Sequence, residues 1–119
     1  MNTNCTIYKT LDFLGKKWTF LIILELHKGE NKHKRYSEIK KKFPEITPKI
    51  LSQRLKELEQ NQIIIKTTDA SKFPIKTEYT LTKSGLEIIP IIKSIKSWAL
   101  KNNIKSKHCT ETDCEHCEL

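Results

Sequence analysis

Residues 47–59, Thr-Pro-Lys-Ile-Leu-Ser-Gln-Arg-Leu-Lys-Glu-Leu-Glu, carry the clearest structural signal in this sequence. Their apolar members recur at helical spacing and predict a helix with one buried stripe. That stripe comprises Ile50, Leu51, Leu55 and Leu58. Thr47 supplies an oxygen for the N-cap, and Pro48 suits the first helical position, where a missing N–H costs nothing.

A second, shorter amphipathic segment precedes this helix. Residues 36–43 place Ile39 and Phe43 on one face, and we expect Ser37 to cap the helix and Pro44 to end it. Two short helices joined by a turn of three or four residues form a helix-turn-helix. This arrangement is therefore predicted for residues 36–59.

The pattern changes after residue 62. Residues 63–68 and 76–81 are rich in β-branched residues and Tyr, which predicts two strands. The connection over residues 69–75 is too long for a tight turn, so the two strands form a hairpin with an extended tip, a wing. The predicted fold class is mainly α with a small β-hairpin, a winged helix-turn-helix.

Three further helices are predicted around this unit. Residues 6–14 have helical spacing, residues 18–26 are apolar enough to lie at the centre of the domain, and a long helix follows Gly85. Pro90 should bend or break that last helix.

The last helix carries apolar residues most of the way round its circumference. They include Ile88, Ile91, Ile92, Ile95 and Trp98. A helix apolar on most sides is buried on most sides, so part of it should pack on a second copy of the chain. The alternative is that the first and second helices cover it within one chain.

The charge of the chain is unevenly distributed. All 22 Lys and Arg lie in residues 1–107, whereas four of the 14 Asp and Glu lie in residues 108–119, so residues 1–107 alone carry +12. Such a domain attracts polyanions, because each neutralised phosphate releases counterions. The alternative is that the excess Lys forms only a solvated face.

The polar side of the helix over residues 47–59 fits double-stranded DNA. A helix 10–12 Å across enters the major groove. Gln53 can pair with adenine, Ser52 with any base edge, and Lys49 with guanine or a phosphate. The predicted contacts are Thr47, Pro48, Lys49, Ser52, Gln53 and Lys56. Any amphipathic surface helix also has a polar side, which is the competing interpretation.

Two neighbouring basic segments could bind the DNA backbone. Lys34, Arg35, Tyr36 and Ser37 lie at a helix N-terminus, where N–H groups and the helix dipole favour a phosphate. On the hairpin, Lys72 and Lys76, together with Lys66, could straddle the adjacent minor groove. A solvated loop and a wing tip that faces only solvent are the respective alternatives.

Several motifs in chain order resemble the HxlR-type winged helix regulators. They are Cys5, Leu14-Gly15-Lys16-Lys17-Trp18-Thr19, Arg35-Tyr36-Ser37-Glu38-Ile39, the segment over residues 46–59, Glu78-Tyr79-Thr80-Leu81-Thr82-Lys83-Ser84-Gly85, and Ile89-Pro90-Ile91-Ile92 with the later Trp98. The resemblance covers about residues 5–99. It implies transcriptional control by a DNA-bound homodimer, with the first and last helices forming the dimer contact. It also implies that Cys5 is a candidate sensor of oxidants or electrophiles, an unreactive thiol being the alternative.

The end of the chain lies outside that resemblance. Residues 107–119 form an acidic tail, separate from a domain over residues 1–106, and contain His108, Cys109, Cys114, His116 and Cys117. Thiolates and imidazoles at this spacing suit tetrahedral zinc, although a second Cys-x-x-Cys pair is missing. A thiol switch and a disordered tail without a structural role are the alternatives. The core is expected to need no cofactor.

Other classes of protein are less compatible with the sequence. The four His lie at positions 27, 33, 108 and 116, in predicted loops or the tail, so no catalytic constellation is expected and an enzyme is not predicted. The apolar runs are too short for a bilayer span and the N-terminus lacks a signal peptide, so a cytoplasmic protein without membrane contact is expected. The competing function is a winged helix module that docks an acidic protein partner.

Overall fold

The computed structural model describes residues 2–104 and 107–117. In chain order the elements are α1 (Thr6–Leu14), α2 (Thr19–His27), β1 (Lys34–Arg35), α3 (Tyr36–Lys42), α4 (Pro48–Gln60), β2 (Ile64–Asp69), β3 (Lys76–Leu81), α5 (Lys83–Lys101) and α6 (Lys107–Glu111), followed by a 3-10 turn at Cys114–His116. The predicted winged helix-turn-helix, mainly α with a small sheet, is confirmed. No helix in the described part of the chain is long and apolar enough to cross a membrane.

The core surrounds α2, the most apolar helix. Ile22, Ile23 and Leu26 of α2 are fully buried. Buried residues from five other elements pack in the same cluster, among them Ile39 of α3, Leu51, Leu55 and Leu58 of α4, Ile64 of β2, Tyr79 of β3, and Ile88, Ile89 and Ile92 of α5. Burial of these side chains supplies the main driving force for folding, at about 1.5–3 kcal/mol for each one.

The predicted cap of α4 is confirmed. Thr47 is the N-cap, its Oγ1 accepts a hydrogen bond from the backbone N–H of Ile50 at 3.2 Å, and Pro48 opens the helix. The predicted cap of α3 is wrong, because Arg35 and not Ser37 occupies the N-cap. Arg35 is still extended as part of β1, so the helix cannot begin before Tyr36.

The sheet has a third strand that the sequence did not predict. Its order is β1-β3-β2, and all neighbours are antiparallel. β1 pairs Lys34 with Tyr79 and Arg35 with Glu78, whereas β2 and β3 pair over six residues each. Two residues are too few to show a period-two pattern, so only the tertiary pairing defines β1. This pairing ties the beginning of α3 to the hairpin.

Helix α5 runs without interruption through Pro90, so of the predicted bend or break, the break is not observed. Pro90 removes the donor for the carbonyl of Leu86, and both residues lie on the exposed side, where water can solvate that carbonyl. Thr82 caps the helix by accepting from the N–H of Gly85 at 3.1 Å. A Cβ at position 85 would lie 2.3 Å from the carbonyl oxygen of Ile63, so this close approach requires glycine.

Candidate nucleic-acid interface

Helix α4 separates its side chains into a buried side and an exposed side. Leu51, Leu55 and Leu58 are buried in the core. The six residues predicted to meet DNA are all exposed, and we call them the polar face of α4. They are Thr47, Pro48, Lys49, Ser52, Gln53 and Lys56. The structure therefore brings together on one accessible surface every predicted contact of this helix.

A network that the sequence did not predict fixes α4 against the segment between α1 and α2. Glu57 pairs with Lys16 and, through Oε1, with Nη1 of Arg54 at 3.0 Å. Nε of Arg54 donates to the carbonyl of Lys17 at 3.3 Å. Burial opposes ionisation of Glu57, but the hydrogen bonds and charges of Lys16 and Arg54 outweigh it and lower its pKa. These contacts hold the C-terminal half of α4 in a fixed orientation.

The N-terminal end of α4 is held by α3. The hydroxyl of Tyr36 donates to the carbonyl of Pro48 at 3.3 Å, so Tyr36 joins the two helices of the helix-turn-helix. Ser37 and Arg35 are exposed beside it, at the beginning of α3. Of the four residues predicted here as phosphate contacts, Tyr36 thus contacts the polar face of α4 at Pro48, and the exposed Arg35 and Ser37 flank Tyr36 in the chain.

Lys34, the fourth, has its ammonium group turned inward. Its Nζ donates to the carbonyls of Lys28 at 2.7 Å, Asn31 at 2.9 Å and Leu26 at 3.3 Å, around the end of α2. Burial lowers the pKa of Lys34, and Glu25 opposes this shift. The neighbouring Lys32 likewise donates to the carbonyl of His27. Lys34 therefore satisfies carbonyls at the C-terminus of α2 and in the loop that follows it, so its ammonium group is engaged within the protein.

The hairpin lies beside α4. Lys66 of β2 lines a cavity of about 330 Å³ together with Ser52 and Lys56 of the polar face and with Glu59 of α4. Lys72 is exposed at the tip, whereas Lys76 pairs with Glu78 at 3.2 Å. The hairpin thus extends the basic surface of α4 away from the core. The sequence interpretation overlooked Phe73 at this tip, which is fully exposed, although an apolar Phe-Pro-Ile triplet within a polar loop was a visible signal.

The candidate redox residue lies at the beginning of α1. Cys5 is the N-cap of α1 and is partly exposed. It lines a cavity of about 370 Å³ with Ile7, Tyr8, Leu11 and Asp12. The thiol is therefore accessible next to exposed apolar side chains of α1.

The C-terminal tail folds back onto α2 and α5. Oε1 of Glu115 lies 2.9 Å from Nε2 of His27. The hydrogen bond with His27 and, to a smaller extent, the charge of Lys93 lower the pKa of Glu115. Lys93 also lies 3.8 Å from Asp113, and Nζ of Lys96 donates to the carbonyl of Thr112 at 3.0 Å. Acidic groups of the tail thus meet basic groups of the domain.

The predicted zinc ligands are not gathered around one point. Cys109, Cys114, Cys117 and His108 are partly buried and His116 is exposed. Within residues 2–104 and 107–117, no three His, Cys, Asp or Glu side chains are grouped so that they could hold a metal ion. Nζ of Lys96 lies 3.7 Å from Sγ of Cys114, and Nε2 of His108 is buried without a hydrogen-bond partner in this part of the chain. Zinc binding stays a prediction.

Comparison with known proteins identifies the family. A family model described as HxlR-like helix-turn-helix matches residues 13–107. The HTH-type transcriptional regulator YodB of Bacillus subtilis is 38% identical over 99 residues, covering 82% of this chain and 85% of YodB. The structure of reduced YodB matches with a TM-score of 0.71 at 37% identity, covering 82% of this chain and 92% of that one. The redox regulator HypR in its oxidised form matches with a TM-score of 0.70 at 31% identity, covering 83% and 98%. This chain therefore belongs to the HxlR-like helix-turn-helix family of transcriptional regulators.

Proposed function

We propose that this regulator binds specific sequences of double-stranded DNA by inserting α4 into the major groove. One observation carries the proposal: the polar face of α4 is entirely exposed while the opposite side is anchored in the core. The network around Glu57 and the bond from Tyr36 to Pro48 fix the helix at both ends. A rigid helix presents its donors and acceptors to base edges without first losing conformational freedom.

The residues divide into base contacts and backbone contacts. Gln53 and Ser52 lie at the middle of the polar face and read base edges, and Lys49 reaches guanine or a phosphate. Arg35 and Ser37 bind phosphates beside the beginning of α3, and Lys56 and Lys66 neutralise the backbone where α4 meets the hairpin. Tyr36 positions α4 through its hydroxyl.

Substitution of Gln53 tests this assignment. Gln53→Ala should cost about 1–3 kcal/mol of binding at the selected site and relax base preference, because a bidentate contact is lost. Gln60→Ala, at the exposed end of the same helix, is the matched control and should change neither. The measurement is a gel shift with duplexes selected by the wild-type protein from a random pool and with scrambled duplexes. Equal losses on both would remove Gln53 as a base reader, and no duplex binding at low salt would instead favour docking of an acidic protein.

We further propose that the protein acts as a homodimer through α1 and α5. Ile7, Tyr8 and Leu11 are exposed on α1, and Ile91, Ile95 and Trp98 are exposed along one stripe of α5. Ile88, Ile89 and Ile92 are the residues through which α5 packs into the core, so the exposed stripe makes no contribution to the core of the described residues. A second copy would cover it, and two-fold symmetry would place two α4 helices about 34 Å apart on a palindrome.

Sedimentation equilibrium tests the dimer. Ile95→Glu should convert a dimer to a monomer, because it places a charge in the apolar contact. Ile65→Glu is the control, since Ile65 is exposed to a similar degree, 51% against 46%, but lies on the hairpin. A monomeric wild-type protein, or an Ile95→Glu variant that remains dimeric, would refute this contact.

We propose that Cys5 makes DNA binding responsive to oxidants or electrophiles. The thiol is accessible and adjoins the exposed side of α1, so a change there would reach the proposed dimer contact. Structures of YodB in a diamide-treated and a quinone-bound form, and of HypR as a redox regulator, support this reading. Treatment with a quinone should change the DNA affinity of the wild-type protein and leave that of Cys5→Ser unchanged, as measured by gel shift. An identical response of both proteins would refute the role of Cys5.

Zinc binding by the tail is a separate proposal. The donor set of three thiols and two imidazoles favours a soft divalent metal. The side chains must rotate to form the site. Titration of the reduced protein with Co²⁺ should give a thiolate charge-transfer band that disappears in Cys114→Ser and persists in Cys5→Ser. Absence of this band in the wild-type protein would refute the site.

A further inference from the structure

The tip of the hairpin exposes an aromatic side chain to solvent completely. Phe73 is 101% exposed and Ile75 is 60% exposed, with Pro74 between them. The core of the domain leaves this apolar tip uncovered, although burying one Phe contributes about 1.5–3 kcal/mol. The other residues of the connection, from Ala70 to Lys72, are small or polar. Phe73 and Ile75 therefore form a small exposed apolar patch next to small and polar residues of the connection.

The charges around the tip favour an anionic partner. Lys72 precedes Phe73 directly and is exposed. The two acidic groups of the hairpin are each engaged locally: Asp69 accepts from the N–H of Ser71 at 3.0 Å, and Glu78 pairs with Lys76 at 3.2 Å. An exposed apolar side chain next to a lysine, such as Phe73 next to Lys72, suits the minor groove of DNA. The phosphates that border this groove attract the lysine, and the base steps on its floor can accept an inserted apolar side chain.

The geometry of the hairpin supports the same partner. Lys66 lies beside the polar face of α4, and β2 and β3 remain paired from this point to Asp69 and Lys76. Strand residues rise about 3.3 Å each, so the paired strands extend roughly 10 Å beyond Lys66, and the connection over residues 70–75 continues past their end. Half a turn of B-DNA, the step from a major groove to the adjacent minor groove, is about 17 Å.

We propose that Phe73 is a wedge that inserts into the minor groove next to the major groove occupied by α4, and that it kinks the DNA there. The inference rests on the proposed DNA binding and adds a specificity determinant to it. Insertion partly unstacks one base step, which is least costly at flexible pyrimidine–purine steps. Phe73 thus selects a deformable step at a position where no hydrogen bond to a base is made.

Two measurements on the full chain test the wedge. Affinity for duplexes selected from a random pool is measured by gel shift, and their bending is measured by energy transfer between dyes at the two ends. The wild-type protein should bend the duplex by about 20–90°. Phe73→Ala should lose about tenfold in affinity, which corresponds to ~1.4 kcal/mol, and should reduce the bend. Ile65→Ala, an exposed apolar residue at the base of the hairpin, is the control and should preserve both.

A second variant reports the insertion directly. Phe73→Trp should retain the affinity, and its additional fluorescence relative to the wild-type protein should be quenched when DNA is added, because the indole stacks on a base. A duplex in which a stiff A-tract replaces the pyrimidine–purine step that Phe73 would enter should bind the wild-type protein less tightly. The affinity of Phe73→Ala should be the same for both duplexes.

The outcomes separate the wedge from the proposed function. If the wild-type protein binds no duplex, the proposed function fails and the wedge fails with it. If the wild-type protein binds and Gln53→Ala relaxes its base preference, but Phe73→Ala binds and bends DNA equally well, only the wedge is refuted. A Phe73→Ala variant that changes sedimentation instead of DNA bending would show that the tip contacts a second copy of the chain, which also refutes the wedge.

Discussion

The polar face of α4 and the pair of lysines before α3, Lys32 and Lys34, are both basic, and the polar face and Lys34 were predicted from the sequence to bind DNA. In the structure these two regions differ in what their lysines contact. Lys49 and Lys56 of α4 are exposed. Lys32 and Lys34 donate to backbone carbonyls around the end of α2. The same type of residue, in the same kind of polar segment, therefore serves as a surface charge in one place and as a structural contact in the other.

The difference follows from what each segment adjoins. A helix N-terminus offers N–H groups, which a lysine cannot satisfy, so Lys49 near the beginning of α4 remains directed outward. A helix C-terminus offers unpaired carbonyls, and Lys34 follows the end of α2 closely enough to reach three carbonyls. Net charge indicates that a domain attracts anions, but the local backbone decides which cations are available.

The largest expected effect separates the two sides of α4. Leu51→Ala should lower the free energy of unfolding by about 2–5 kcal/mol, because it creates a cavity at a fully buried position. Ser52→Ala, the next residue, should change it by less than ~0.5 kcal/mol, since it lies on the polar face. Urea denaturation measures both. Comparable losses would mean that the polar face packs against the protein itself, which would contradict the proposed interface.

A smaller effect distinguishes the two groups of lysines. Lys34→Met should lower the free energy of unfolding by roughly 1–3 kcal/mol, because the carbonyls at the end of α2 lose a charged donor. Lys49→Met should leave stability unchanged but reduce the salt dependence of DNA binding by about one phosphate. Urea denaturation and gel shifts at several salt concentrations provide the two measurements. If Lys34→Met has the same free energy of unfolding as the wild-type protein, but its DNA binding depends less on salt by about one phosphate, Lys34 belongs to the DNA interface.

The smallest effect concerns the network that holds α4. The pKa of Glu57 is lowered below its ordinary value of 4.5, so the folded state binds protons at this group less readily than the unfolded state. Its contribution to stability is present above that ordinary value and is lost as the pH falls through the folded pKa. Glu57→Gln should therefore show a weaker loss of stability in acid than the wild-type protein. Glu59→Gln, an exposed neighbour, is the control, and an identical acid profile for Glu57→Gln and wild type would contradict the network.

The sequence predicted the elements with strong local patterns. The bounds of α1 and β3 agree with the prediction at both ends, and the cap and apolar stripe of α4 were identified from Thr47, Pro48 and the leucines. β1 and the cap of α3 were missed, because pairing with β3 defines them and this pairing leaves no local pattern. Pro90 was expected to bend or break α5, and no break is observed, because its position on an exposed side lets the helix continue.

The candidate interface divides in the same way. The polar face of α4 could be predicted, because helical periodicity alone decides which side chains lie opposite a leucine stripe. The inward direction of Lys34 and the network of Lys16, Arg54 and Glu57 could not. The first depends on how the loop after α2 folds, and the second depends on Lys16, which is distant from Glu57 in sequence.

By itself, the sequence determined the family, through the motifs that resemble it, the order of α1 to α5 with the two hairpin strands, and the residues that share a face with Gln53. The elements and this shared face follow from local preferences and from periodicity, which act within a few residues along the chain. Only the tertiary structure decided which cations remain exposed and which apolar side chains remain uncovered. Hydrogen bonding and burial are properties of surfaces that meet in space, and those surfaces exist only when the chain has folded.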